Sequence, residues 1–384
     1  MSQHEKLLND LIEIKSYSGE EEKIRDFIYG WFEEKGIESF IQDENLVVHF
    51  NGKDQSKAFI FNSHMDTVSK GDQEWKYGPW TPTIEGDKLV GLGASDMKGG
   101  LVASMLLAEK MHKKGKPQTD MWFTYVVKEE QDGSGTQSFA DWFNKNGYPQ
   151  KYTDVAGIFT EPTNLKEIEH GHRGNLFLKI TAIGDSGHGA RPHLIQKHSV
   201  REIIRFSDIL QEQFTTWRKE FNDGKFEPPT VGEMTSIQAG VAIKEINGQK
   251  VIEVESPNKF PSVAVATFDI RTTPDFHKVA FDRIVNLANI NGMKVEYAFP
   301  PGPAGYTDIN EKIVKVATEI VKDAKLTVSK GSADLGFLTA HGIKAIIFGP
   351  GIKEQCHRVN EYTYPAQILE AVEIYNQIVT TWAK

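Results

Sequence analysis

Near the start of the chain, Leu7, Leu8, Leu11 and Ile12, then Ile24, Phe27, Ile28 and Trp31, recur at helical spacing, with Ser16-Tyr17-Ser18-Gly19 between the two sets. The pattern predicts helix over residues 5–35 with one interruption, and Ser18 followed by Glu21 fits a capping box for the second part. Beyond it the period changes. Extended pieces at 39–41 and 46–50 precede a short apolar run, Ala58-Phe59-Ile60-Phe61, of the kind a buried strand shows. Apolar runs at 121–127 and 155–159 read as further strands, and 101–113 reads as a helix. Helices alternating with buried strands predict an α/β fold: a largely parallel sheet flanked by helices.

From Gly174 the pattern differs. Residues 176–183 alternate in polarity as a half-exposed strand does, and Val200, Ile203, Ile204, Ile209, Leu210, Phe214 and Trp217 mark a long amphipathic helix. Strands at 235–239, 251–254 and 263–270, a helix at 276–291 and a strand at 294–299 follow. This β-α-β-β-β-α-β order suggests a small, ferredoxin-like α+β domain with one helix-covered face. Pro300-Pro301-Gly302-Pro303-Ala304-Gly305 reads as an exit linker, after which a helix (313–323), a strand (345–348) and a helix (366–383) resume the earlier pattern. The expected organisation is one discontinuous domain, residues 1–173 and 301–384, with the small domain, 174–300, inserted in it.

A length of 384 residues accommodates both domains and a large core. The net charge of −9 and pI near 5.8 argue against nucleic acid or an anionic membrane as partner. Cys356 is the sole cysteine, which excludes an intrachain disulfide and a cysteine zinc site. The opening residues lack a basic stretch leading into an apolar one, and no apolar run approaches the roughly 20 residues of a membrane span, so a cytoplasmic location is expected.

Candidate chemistry collects at the ends of the predicted strands. Asn62-Ser63-His64-Met65-Asp66 closes the first, Lys128-Glu129-Glu130 follows the second, and Thr160-Glu161-Pro162-Thr163 follows the third. In an α/β sheet the carboxyl ends of strands are where ligands bind. Asp66 is placed to orient His64 or to ligate beside it. Asp96, among glycines in Gly91-Leu92-Gly93-Ala94-Ser95-Asp96-Met97-Lys98-Gly99-Gly100, and His357 in Cys356-His357-Arg358-Val359-Asn360-Glu361 extend the set. Two histidines and three carboxylates (His64, Asp96, Glu130, Glu161 and His357) suit a pair of divalent cations, zinc above all, with one carboxylate shared. In an extended segment Glu129 and Glu130 face opposite ways. Glu129 is then left over as the general base for an activated water.

Those strings, in that order and spacing, resemble the dizinc aminoacylase/carboxypeptidase family, which includes succinyl-diaminopimelate desuccinylase, acetylornithine deacetylase and the glutamate carboxypeptidases. The resemblance covers nearly the whole chain. It implies a hydrolase of the amide bond in an N-acyl amino acid or short peptide, with cobalt or manganese as possible substitutes for zinc. It implies that Asp96 bridges the metals, that His64 and Glu161 complete one site, and that Glu130 and His357 complete the other. Glu129 is then the base and Asp66 the partner of His64. The inserted domain becomes a lid and dimerisation surface of a homodimer. Its His188, in Gly187-His188-Gly189-Ala190-Arg191-Pro192-His193, stabilises the oxyanion, acting from the partner chain; Arg271 holds a substrate carboxylate, and Asn258 lines the substrate. Pro192-His193-Leu194 and Phe226-Glu227-Pro228-Pro229-Thr230 lean towards the desuccinylase branch, with deacetylase and then carboxypeptidase or dipeptidase next. The reading from another class is a binding or regulatory protein that kept the fold and lost catalysis.

Overall fold

The computed structural model describes residues 2–246, 249–254 and 256–384. The chain divides into two compact units, one of residues 1–172, 305–329 and 333–384, the other of residues 173–304 and 330–332.

The first unit is built on a nine-stranded sheet. Its centre is parallel: Thr119–Val126, Asp54–His64, Asp154–Phe159 and Lys344–Ile347 lie side by side. Ser39–Gln42 and Asn45–Phe50 extend one flank antiparallel, and Glu167–His172 and Gly305–Tyr306 extend the other, with Lys325–Ser329 parallel to Glu167–His172. Every residue of Thr119–Val126 is buried, as a strand covered on both faces requires. Alternate side chains enter opposite layers. Phe59, Phe61 and Phe123 join the core under the helices Gln3–Glu13, Glu22–Glu34, Gly99–Lys114, Lys312–Ile320 and Pro365–Trp382. Ala58, Ile60 and Trp122 join the core under Ser134–Lys145 and Leu335–Ala340. Phe61 stacks on Phe123 at 5.3 Å and meets Tyr375 at 5.2 Å, which seats the strand that ends in His64. Emptying the Phe61 position would cost about 3–5 kcal/mol.

Parallel register has a direct consequence for chemistry. His64 lies beside Val126 and Asn62 beside Phe159, so the residues that follow all three strands emerge together at the carboxyl end of the sheet.

One strand of this unit carries no strong apolar period. Glu167–His172 is almost wholly buried although its residues are Glu-Ile-Glu-His-Gly-His, because its polar groups find partners: His170 Nδ1 meets the Thr307 carbonyl at 2.8 Å, Glu169 pairs with Lys353, and His172 Nε2 accepts the Gly336 N–H at 2.9 Å. The helix Ser134–Lys145 buries Phe139, Ala140 and Phe143.

The second unit is a four-stranded antiparallel sheet in the order Val231–Gly240, Val263–Thr272, Gly174–Ile183 and Met293–Tyr297. Gly174–Ile183 buries alternate residues, and Leu176, Leu178, Ile180 and Ala182 pack with the helices Ser199–Glu220 and Pro274–Ile290. Thr273 caps the latter, accepting the Phe276 N–H at 3.4 Å, and Pro274 occupies its first turn. The strand read at 251–254 is half of a hairpin, Ala242–Ile246 with Gln249–Glu253, apart from the main sheet.

Candidate metal centre

The strand Asp54–His64 delivers a buried His64 to this end of the sheet. Its Nδ1 lies 3.0 Å from the Asp66 carbonyl oxygen and 3.3 Å from Asp66 Oδ1. Acceptors on that side place the proton on Nδ1 and leave Nε2 as the ligand-type nitrogen. Nε2 faces Asp96 Oδ1 at 3.3 Å, Glu161 Oε1 at 3.5 Å and Glu129 Oε2 at 4.0 Å. Asp96 turns its other oxygen to a second imidazole, Oδ2 standing 3.4 Å from His357 Nε2. His357 Nε2 in turn meets Glu130 Oε2 at 2.9 Å. One carboxylate therefore lies between two histidines, with Glu161 outside one and Glu130 outside the other. Donor atoms of His64, Asp96 and Glu130, and of His64, Glu129 and Glu161, cluster within 4.8 Å of one another.

The donors fit divalent cations. Glu130 Oε1 is buried without a hydrogen-bond partner, although the other oxygen of the same group is well bonded. Burial, then the neighbouring Asp96 charge, pushes the Glu130 carboxyl up to about 7. Burial pushes Glu161 to about 7 as well, with His64 opposing and Asp96 adding. Hydrogen bonds to the Asp96 and Glu130 carboxylates raise His357 to about 10. Like charges crowded in this way are the arrangement that a cation's charge would relieve. Glu129 is raised well above the usual carboxylate range by burial, then by Asp334.

Local structure explains how these side chains converge. Gly93, at φ 80°, turns the chain into Ala94–Lys98, from which the helix Gly99–Lys114 departs. A Cβ on Gly100 would stand 1.9 Å from the Thr160 carbonyl oxygen, so only glycine lets this helix close against the strand end that supplies Glu161. Lys128 adopts φ 57° beyond the strand Thr119–Val126. Glu129 and Glu130 therefore sit in a turn and not in the extended run that alternation of faces assumed. Asp66 is buried and spans that turn: Oδ1 accepts the Glu129 N–H at 3.2 Å and Oδ2 the Glu130 N–H at 3.1 Å. Ser18 also donates to Asp66 Oδ2, at 2.6 Å. The expected capping box is thus corrected: the helix is Glu22–Glu34, Glu21 stands at its N-cap without a side-chain cap bond, and the Ser18 hydroxyl is committed to Asp66.

Residues 60–381 match the model of Peptidase family M20/M25/M40. The chain belongs to this family. Its members are metal-dependent hydrolases, and this chain is one of them. A probable succinyl-diaminopimelate desuccinylase of Staphylococcus aureus (strain MSSA476) is 28% identical over 415 aligned positions, covering 98% of this chain and 97% of that one. An M20 domain-containing protein of Schizosaccharomyces pombe is 27% identical, covering 97% of this chain and 83% of that one. Among solved structures, an M20 metallo-carboxypeptidase from Sulfolobus solfataricus superposes with TM-score 0.76 at 17% identity, covering 100% of both chains. A dinuclear metal-binding M20 peptidase of Bacillus subtilis gives TM-score 0.70 at 15% identity, covering 99% of this chain and 97% of that one.

Several residues of this M20 site were not singled out by sequence. Glu361 is buried and faces backbone, Oε2 accepting the Gly93 N–H at 2.8 Å and Oε1 those of Ser95 at 2.7 Å and Asp96 at 2.9 Å. It ties the Asp96 loop to the segment that carries His357. Lys98, also buried, donates to the Leu11 and Ile14 carbonyls at 2.9 and 3.0 Å, and burial lowers its ammonium to about 7. Asp334 accepts from Thr136 Oγ1 at 2.5 Å, and burial raises it to about 7. Lys98 and Glu361 each sit inside a motif string, but residue type does not reveal which way a side chain turns.

The remaining candidates belong to the second unit. His188 is exposed in the short strand Gly187–His188, paired with Lys259–Phe260, and its Nδ1 accepts the Ala190 N–H at 3.1 Å. The Asn258 carbonyl accepts the Gly189 N–H at 2.5 Å, so the His188 and Asn258 segments adjoin. The Arg271 guanidinium is paired with Asp269, Nε to Oδ1 at 2.7 Å, and lies 5.4 Å over the Phe177 ring. No helix among the described residues is long and apolar enough to cross a membrane.

Proposed function

We propose that this M20 enzyme hydrolyses the amide bond of an N-acyl amino acid, an N-succinyl one first and an N-acetyl one next, using two divalent cations, zinc before cobalt or manganese. The observation that carries the reading is Asp96, whose two oxygens each face a different imidazole at 3.3 and 3.4 Å. In this reading Asp96 is shared, His64 and Glu161 complete one position, and Glu130 and His357 complete the other. The ions supply polarisation of the scissile carbonyl and a water of lowered pKa.

The chain's own residues do the rest. Asp66 fixes the His64 tautomer and, through the amides of Glu129 and Glu130, the turn that bears the base. Glu129 takes a proton from the attacking water and returns it to the leaving nitrogen. His188 donates to the developing oxyanion. Arg271, oriented by Asp269, offers its remaining N–H groups to a substrate carboxylate, and Asn258 lines the same substrate. The second unit acts as a ferredoxin-like lid and as the dimerisation surface of a cytoplasmic homodimer. Support for the substrate class comes from the likeness to the desuccinylase over 98% of the chain.

A panel of N-succinyl and N-acetyl amino acids and dipeptides, run with zinc and with cobalt, tests this. Turnover is expected on the N-acyl amino acids. Preference for dipeptides would move the enzyme to the peptidase branch, and a metal-loaded protein inert on all of them would leave a binding role.

A further inference from the structure

Three consecutive backbone amides beside the candidate centre point at two buried carboxylates. Glu129 and Glu130 N–H groups donate to Asp66, as described, and the Lys128 N–H donates to Glu21 Oε1 at 2.9 Å. Glu21 is 4% exposed. The segment leading to it is a tight turn: the Glu20 N–H donates to the Tyr17 carbonyl at 2.7 Å, and Gly19 has φ 87°, which suits the third position of a type II turn. The turn is fixed to the strand end that carries Asp66. The Thr67 N–H donates to the Ser16 carbonyl at 2.8 Å, Tyr17 bridges Thr67, and the Ser18 hydroxyl reaches Asp66.

We propose that Glu21, with Ser18, is a positioning residue for Glu129: the Tyr17–Glu20 turn and the Glu21 carboxylate lock the Lys128 peptide, and through it the place of the base. Lys128 immediately precedes Glu129, so release of the Lys128 amide leaves Asp66 alone to hold the turn that bears the base. Misplacement of a reacting group by about 1 Å can cost on the order of 10²-fold in rate. The inference rests on Glu129 being the base.

Glu21→Leu removes the acceptor and keeps bulk, whereas Glu21→Gln keeps one acceptor oxygen. The expected result for Glu21→Leu is a kcat lower by about 10- to 100-fold, with KM and metal content near those of the parent enzyme, and recovery of most of the loss in Glu21→Gln. In protein stripped of metal, hydrogen exchange over residues 127–133 should speed up in Glu21→Leu, while exchange in the strand Asp154–Phe159 stays as in the parent. In a Glu129→Gln background, Glu21→Leu should cause no further loss. A Glu129→Gln enzyme as active as the parent would remove the base assignment itself. An inactive Glu129→Gln beside a fully active Glu21→Leu with unchanged exchange overturns the positioning role alone, as does an equal further loss in the Glu129→Gln background. If Glu21→Leu does not fold, Ser18→Ala carries the same readouts with a smaller loss, and no change in either overturns the proposal.

Discussion

Two groups of acidic side chains occupy the same end of the sheet, one part-buried and one buried, and they differ in what meets their oxygens. Asp96, Glu129, Glu130 and Glu161 face one another and two imidazoles. Asp66 and Glu361 face N–H groups of the backbone. Hydrogen bonds from His64, Ser18 and the Glu130 amide hold Asp66 below its ordinary value against full burial. Glu130 and Glu161 have no such amides and are pushed up to about 7. Glu361 lies between: three amides oppose burial and the Asp96 charge, and it still rises to about 8. A buried acid is thus not a metal ligand by virtue of being buried. Lone pairs left facing a common space separate donor from scaffold, and every prediction below asks whether that division holds.

Removing metal should have the largest effect. Dialysis against a chelator is expected to abolish turnover, and titration with zinc to restore it at two equivalents per chain. Saturation at one equivalent would unseat Asp96 as a shared ligand, and activity indifferent to chelator would unseat the centre.

Next come the neighbours Glu129 and Glu130. Glu129→Ala should lower kcat by about 10²–10⁴-fold with metal content nearly intact, the usual contribution of one general acid–base group. Glu130→Ala should instead weaken metal binding, seen as a shortfall in equivalents after gel filtration. Equal metal loss in both variants would put Glu129 among the ligands. The distances leave room for that outcome, since Glu129 Oε2 is 4.0 Å from the same nitrogen that Glu161 approaches to 3.5 Å.

The effect of His188→Ala should be somewhat smaller, about 10²–10³-fold in kcat with metal retained, as for removal of one oxyanion donor. Mixing inactive Glu129→Ala chains with inactive His188→Ala chains sharpens it. If His188 serves the partner's site, one site of a mixed dimer regains both residues and activity partly returns. Proven subunit exchange without recovery would confine His188 to its own chain or to no catalytic role.

How far sequence carried this division follows from what periodicity can encode. The parallel centre was legible because its strands are continuous apolar runs, and ligand-type residues stood at their ends. The second unit's strand Gly174–Ile183 was legible by the other period, because a sheet covered on one face buries every second residue. Glu167–His172 was not, since its burial depends on partners distant in sequence, Thr307, Lys353 and Gly336. Ser18 and Glu21 show the opposite failure: their spacing satisfies a local motif, yet Ser18 bonds Asp66 and Glu21 the Lys128 amide. Glu361 lay in plain view after His357, but that it turns to the Gly93, Ser95 and Asp96 amides is a tertiary fact.

The smallest effect, in stability, divides the two groups most cleanly. Consider metal-free protein near neutral pH. A carboxyl raised from 4.5 to about 7 on folding, as for Glu161, favours the folded state below pH 4.5 and loses that contribution as pH rises through 7. At pH 8 the buried charge is therefore a burden, and Glu161→Gln, of the same shape, should raise the unfolding free energy by about 1 kcal/mol once the lost imidazole contact is discounted. Glu361→Ala should act in the other direction. It strands three buried N–H groups, each costing about 1–3 kcal/mol alone, and relaxation of the loop should leave a net loss on the order of 3 kcal/mol. With zinc bound the first sign should reverse, because Glu161→Gln then removes a ligand, while the second should stay. Urea unfolding of the two variants, with and without zinc, measures all four values. A Glu161→Gln protein destabilised equally in both states would mean that Glu161 holds structure as Glu361 does, and the boundary between donor and scaffold would have to be redrawn.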